Sequence, residues 1–274
     1  MRRKVIAAVG RDSRAYGVLK TGYGLFSRLA AAVDGRWGTR FVRPPIIVGG
    51  APRSGTTLLL SMLSAHPSIW GVDHETFAFC PRSVDPTGAT PRDFETFRVY
   101  APLALARAAR HHARWVEKTP RNVRFFGPIL EHFGADIRLI HVVRDGRDVI
   151  TSSSPRVAHA FYTGVEGWVT PVKAGLAFDD HPQLYRVRYE DLVTDYEPTM
   201  RSLLGFLDES WTAEIAAWHD HATVRRHTAF AGEIVPLHSG SVRRWQRPDY
   251  ADRARALEQN PDGALLLRRL GYAD

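Results

Sequence analysis

Pro45-Ile-Ile-Val-Gly-Gly-Ala-Pro-Arg-Ser-Gly-Thr-Thr-Leu-Leu-Leu60 is the stretch from which the rest of the chain is read. The β-branched run Ile46, Ile47 and Val48 predicts a short buried strand. Gly49 to Gly55 then form a tight loop, and Thr56 and Thr57 with the following leucines predict a helix start. A glycine loop between strand and helix aims backbone N–H groups and the positive end of the helix dipole at one point. A phosphate suits that point. Arg53 adds a fixed positive charge, and Ser54, Thr56 and Thr57 offer hydroxyls.

The loop of nucleotide-hydrolysing enzymes ends in Gly-Lys-Ser/Thr, its lysine reaching the β- and γ-phosphates and its hydroxyl holding magnesium. Here the end is Gly55-Thr56-Thr57, without lysine. A loop that grips one phosphate and lacks that lysine fits a donor other than ATP.

The 274 residues, 44% hydrophobic and 24% charged, can bury a full core and read as an α/β protein. No apolar run reaches the roughly 18 residues of a membrane span, so no integral membrane segment is expected. Arg11 and Asp12 cut the apolar part of the basic N-terminus too short for a signal peptide. The single cysteine, Cys80, cannot make an internal disulfide, which fits a reducing cytoplasm. A net charge of +8 raises nucleic acid as a partner. Yet only Lys4, Lys20, Lys118 and Lys173 are lysines, and the arginines are spread along the whole chain. That pattern reads as GC-rich coding bias together with a fit to anionic ligands, and no nucleic-acid partner is expected.

Residues 1–43 read as an amphipathic helical arm and 44–274 as one domain. After the loop, a helix runs to His66-Pro67, and Ser68 to Thr76 predicts a second strand ending in polar residues. Residues 77–113 start as loop and continue into an alanine-rich helix around Leu103 to Arg110. Trp115 to Pro120 predicts a strand, Val123 to Phe133 a helix, and Ile137 to Val143 the clearest strand of all. A helix beginning near Val149, a strand over Leu184 to Tyr189 and a helix over Tyr196 to Leu207 follow. Strands alternating with helices at this spacing imply a parallel sheet flanked by helices on both faces. Such sheets bind ligands at the carboxyl ends of their strands, where Arg53, Glu75, Lys118 and Arg144 fall.

Several segments in this order resemble one family: the loop at 52–58, Glu117-Lys118-Thr119-Pro120, Val143-Arg144-Asp145-Gly146-Arg147, Tyr189-Glu190-Asp191-Leu192, and Ser239 to Trp245. Together they resemble bacterial sulfotransferases that use 3′-phosphoadenylyl sulfate (PAPS), nearer in the loop to the tyrosylprotein and heparan types than to the phenol enzymes. The resemblance spans roughly 44–272 and implies a three-layer, P-loop NTPase-like fold. It also implies that PAPS is the donor, that 3′,5′-bisphosphoadenosine (PAP) is the product, and that no metal is needed. The acceptor would be a small molecule, glycan or peptide. Arg144 and Ser152 would hold the 3′-phosphate, with Arg243 or Arg244 closing over it and Tyr189 approaching the nucleotide. Glu75 is the candidate base and His74 its rival, while Lys118 would stabilise the bridging oxygen.

Two other classes compete: a P-loop kinase or nucleotide hydrolase, and a non-catalytic binder of nucleotides or polyanions. His111-His112 and His219-Asp220-His221 lack the further ligands a zinc site needs. Phe77, Phe79, Tyr100, Phe161, Tyr162 and Trp168 lie in segments expected to cover the pocket, which points to an apolar or aromatic acceptor.

Overall fold

In the computed structural model, residues 41–106, 108–154, 157, 160–225 and 239–273 are described. Apart from its last three residues, the expected N-terminal arm lies outside them.

Five strands form one parallel sheet in the order β2-β3-β1-β4-β5. They are β1 (Ile46–Gly50), β2 (Ile69–Gly71), β3 (Arg114–Lys118), β4 (Arg138–Val143) and β5 (Leu184–Arg188). The central strand β1 is buried along its whole length and pairs with β3 on one side and β4 on the other. Successive side chains of a strand point to opposite faces. Accordingly Ile46 and Val48 enter one core, with Leu59, Leu60, Met62 and Leu63 of α1 (Thr56–Leu63) and with Met200, Leu203 and Leu204. Ile47 enters the other, with Trp115, Phe125, Phe126, Ile129 and Phe79. Each such aliphatic side chain contributes about 1.5–3 kcal/mol on burial. The outcome is the three-layer arrangement, helices on both faces of a parallel sheet. No described helix is long and apolar enough to cross a membrane.

Among the described residues the remaining α-helices are α2 (Phe97–Leu105), α3 (Phe126–Phe133), α4 (Gly146–Ile150), α5 (Glu166–Leu176), α6 (Tyr189–Thr194), α7 (Tyr196–Phe206), α8 (Ala213–Ala216), α9 (Trp218–His221), α10 (Ala251–Gln259) and α11 (Pro261–Arg269). Several differ from expectation. The second strand stops at Gly71, so His74 and Glu75 stand on the loop after it. The alanine-rich helix is displaced toward the N-terminus, ends at Leu105 and gives way to a single 3₁₀ turn over Ala108–Arg110. The helix expected over Val123 to Phe133 opens as a 3₁₀ helix, Pro120–Phe125, and becomes α-helical only at Phe126. Asp145 caps α4 by accepting the Arg147 N–H at 2.9 Å, which starts that helix at Gly146; the helix ends at Ile150, before Ser152. Tyr189 opens a helix instead of closing a strand. Phe79, Tyr100 and Trp168 are core residues, which removes them from the expected pocket cover.

His141 on β4 is fully buried, and neither ring nitrogen has a partner among the described residues. It fits against α5 because residue 175 is glycine: a Cβ there would meet the imidazole at 2.2 Å. Burial pushes its pKa down to about 3, with Arg186 adding to the shift. The unfolded chain takes up this proton near the ordinary value and the folded chain does not. The His141 contribution is therefore complete above about pH 6.5 and is lost as the pH falls toward 3, at about 1.4 kcal/mol per pH unit. In urea melts at pH 7, 6, 5 and 4, His141→Leu should flatten this acid slope. An unchanged slope would mean that His141 titrates normally.

Candidate active site

The loop after β1 owes its shape to two residues in the left-handed region, Arg53 (φ 70°) and Gly55 (φ 95°). Gly55 is the N-cap of α1, and a Cβ there would come within 2.4 Å of the Tyr189 ring. Glycine thus satisfies both the backbone and the close approach of Tyr189. Ser54 is fully buried and donates its hydroxyl hydrogen to the Ala51 carbonyl at 2.6 Å. It braces the loop from inside. Thr56 and Thr57 open α1 and are buried.

Three arginines converge on this loop. Arg144, at the end of β4, donates to the Arg53 carbonyl at 3.0 Å and to the Ser241 carbonyl at 2.5 Å, and stacks 4.3 Å from the Tyr189 ring centre. Arg244 donates to the Thr151 carbonyl at 2.9 Å. The buried Nε atoms of Arg144 and Arg244 have no partner among the described residues. Burial lowers the Arg53 pKa, and the neighbouring charges of Arg144 and Arg244 lower it further. A guanidinium destabilised by its own kind is a site that an anion would relieve.

Ser152 follows α4 instead of lying in it, and its hydroxyl donates to the Asp148 carbonyl at 2.8 Å. Any contact it makes with an anion must compete with that bond. The two late arginines part company. Arg244 lies within electrostatic reach of Arg53. Arg243 is exposed, and its backbone N–H is held by Asp148 at 2.9 Å. Trp168 was not foreseen here: its indole N–H donates to the Arg144 carbonyl at 3.1 Å and so fixes the end of β4. Arg147 of the same motif turns away into a clamp. It bonds Asp145, Glu258 and the Tyr272 carbonyl and lies 3.8 Å over the Trp245 ring.

On the other side of β1, Lys118 ends β3 opposite Val48. It is fully buried, and its ammonium donates to Glu75 Oε1 at 2.9 Å. Burial lowers the Lys118 pKa, and Glu75 opposes that shift. The Glu75 side chain is 31% exposed, so the pair joins a buried ammonium to a carboxylate that solvent reaches. His74 instead pairs with Asp73 at 2.8 Å in an exposed position. Glu117, the neighbour of Lys118 on β3, faces the opposite side of the strand. Its buried carboxylate accepts from Thr76 (Oγ1, 2.8 Å), Thr119 (2.6 Å) and Asn122 (2.7 Å). Thr119 Oγ1 in turn accepts the Phe77 N–H at 3.3 Å, where the backbone takes an uncommon φ of 55°. Glu117 thereby grips the residues directly after Glu75 and holds Glu75 against Lys118. Sequence reasoning missed this role.

Comparison with known proteins bears on the family and the fold. The sulfotransferase family profile matches residues 44–213. The chain belongs to the sulfotransferase family. It is 24% identical over 233 residues to an uncharacterized protein of Aquifex aeolicus, covering 74% of this chain and 30% of that protein. It is 26% identical over 200 residues to a protein-tyrosine sulfotransferase of Drosophila melanogaster, covering 61% and 38%. The chain therefore spans only about a third of the length of these curated relatives. Among solved structures, the sulfotransferase domain of the curacin biosynthetic pathway superposes with a TM-score of 0.57 at 18% identity, over 85% of this chain and 99% of that one. A mouse sulfotransferase complexed with PAP gives 0.53 at 16%, over 86% and 93%. These structures share the fold.

Proposed function

We propose that this chain moves a sulfuryl group from PAPS to a hydroxyl or amine of an acceptor. One observation carries the reading. A strand–loop–helix anion cradle, lacking the NTPase lysine, is flanked by converging arginines on one side and by a buried Lys118 paired with the half-buried Glu75 on the other. The residues fit a nucleotide with phosphates at both ends. The loop amides and Arg53 face the 5′ side, while Arg144 and Arg244 present buried N–H groups for the 3′-phosphate.

When bound, PAPS would supply an activated sulfuryl group, its S–O bond to the phosphate breaking as a bond forms from sulfur to the acceptor oxygen or nitrogen. Glu75 takes the acceptor proton. The Lys118 ammonium holds a hydrogen bond to the bridging oxygen, where charge grows. Both side chains leave their mutual contact to do so. Phe77, two residues after Glu75, and the exposed Tyr162, whose ring centre lies 6.0 Å from Arg53, favour an acceptor with an apolar or aromatic body. The likeness to a protein-tyrosine sulfotransferase adds a tyrosine hydroxyl to the acceptors worth trying.

The test is a pair of nucleotides. PAP should raise Tm much more than AMP, because loss of one charge-assisted phosphate contact costs about 1.5–3 kcal/mol, roughly tenfold or more in affinity. Equal shifts would remove the 3′-phosphate assignment. Label transfer from PAPS to phenols, alcohols, sugars and peptides should persist in EDTA. Activity abolished by EDTA and restored by magnesium would move the chain to the kinase reading.

A further inference from the structure

A cavity of about 590 Å³ is lined by residues after β4 and β5 and by the segment around Arg243. Asp148, one of its lining residues, also faces Arg144 of the donor site. Its Oδ2 lies 3.9 Å from Arg144 on the donor side, and its carboxylate accepts the Arg243 and Trp245 N–H groups on the other. The cavity is lined by Arg188, Glu190, Arg243, Trp245, Gln246 and Tyr272 among others, and by none of Arg53, Arg144, Ser152 or Tyr189.

Its polar groups are unequally committed. Every carboxylate of the lining already accepts protein donors. Asp145 holds Arg147, Asp148 holds the two backbone N–H groups, and Glu190 accepts the Asp145 N–H at 3.0 Å and the Tyr272 hydroxyl at 2.8 Å. Several donors remain open. Arg188 lies 4.6 Å from the Tyr272 ring centre; its guanidinium engages the Tyr272 hydroxyl and lies near Glu190 and Asp191, but its buried Nε has no partner among the described residues. The Trp245 indole N–H is likewise buried and unpartnered, and the exposed Arg243 guanidinium has no described partner. The formal charges of the lining balance, three arginines against three carboxylates. What is left uncommitted is a set of donors, two of them on guanidinium groups, and that matches an oxyanion.

We propose that this cavity is a second anion site, separate from the donor site, which takes a sulfate or phosphate group, either free or carried on a small molecule. The assignment does not depend on the donor reading.

Equilibrium dialysis of the full chain against labelled inorganic phosphate, at fixed ionic strength and with PAP in excess, tests it. Phosphate should bind once per chain even with PAP present. Arg188→Gln and Arg243→Gln should each weaken that binding tenfold or more, while Arg53→Ala should leave it intact. Arg243 is exposed, so its variant remains informative if Arg188→Gln folds poorly. Displacement by inorganic sulfate, compared with displacement by glycerol 3-phosphate, tells the free ion from the carried group. No phosphate bound beside PAP, or binding unchanged in both arginine variants, overturns the proposal. If PAP itself fails to bind, the donor reading falls; the cavity is then judged without PAP, by whether phosphate is lost in Arg188→Gln or only in Arg53→Ala.

Discussion

Glu75→Gln is expected to lower kcat by about 10²–10⁴-fold, the usual worth of a general base, while PAP affinity stays near wild type. The substitution keeps size and shape and removes only the capacity to take a proton. It also leaves an amide oxygen within reach of Lys118, which donates to Glu75 at 2.9 Å. His74→Asn is the control. His74 points to Asp73 and is half exposed, so its loss should be mild. Steady-state rates with labelled PAPS, beside PAP titrations of each variant, decide the matter. An active Glu75→Gln enzyme with a severely impaired His74→Asn would hand the role of base to the histidine.

Lys118→Met should lower kcat by about 10²–10³-fold, the typical cost of removing a donor aimed at charge that grows in the transition state. Methionine fills most of the buried volume, and Glu75, 31% exposed, can be rehydrated. The variant should therefore fold, with near-normal PAP binding. Lys118→Arg should not rescue turnover, because a planar fork does not fit a fully buried position shaped for an ammonium. Substantial activity in Lys118→Met would show that the bridging oxygen is stabilised elsewhere. Loss of PAP affinity matching the loss of rate would make Lys118 a binding residue instead.

Much of this architecture was legible because local and global signals agree. Ile46 to Val48 is a β-branched run and Ile137 to Val143 is rich in aliphatic residues; both are bounded by turn residues and became interior strands. The α5 helix was missed because Gly167, Pro171 and Gly175 interrupt it, although Trp168, Val169, Val172 and Leu176 keep a buried helical face. The start of α4 was misplaced because Asp145-Gly146 reads as a turn, whereas the aspartate caps a helix. At the site, the loop, Lys118 and Arg144 stood out through their motifs. Their partners did not, since contacts such as Lys118 to Glu75 join segments that no local pattern relates. One signal was available: Glu117 and Lys118 are adjacent on a strand and must face opposite ways, which excludes their pairing.

The strand order also dictates when the donor loop can exist. Ile46 of β1 lies opposite Val116 on one side and Arg138 on the other, so both neighbours of the central strand arrive from far downstream. Contacts of that sequence separation form slowly, after the entropy of closing long loops has been met. A chain still emerging from the ribosome carries the loop sequence long before it carries the cradle. On the proposed function, nucleotide would therefore act as a late lock on an assembled sheet, not as a template for building it. In refolding, PAP should slow unfolding without hastening the rate at which the sheet first forms.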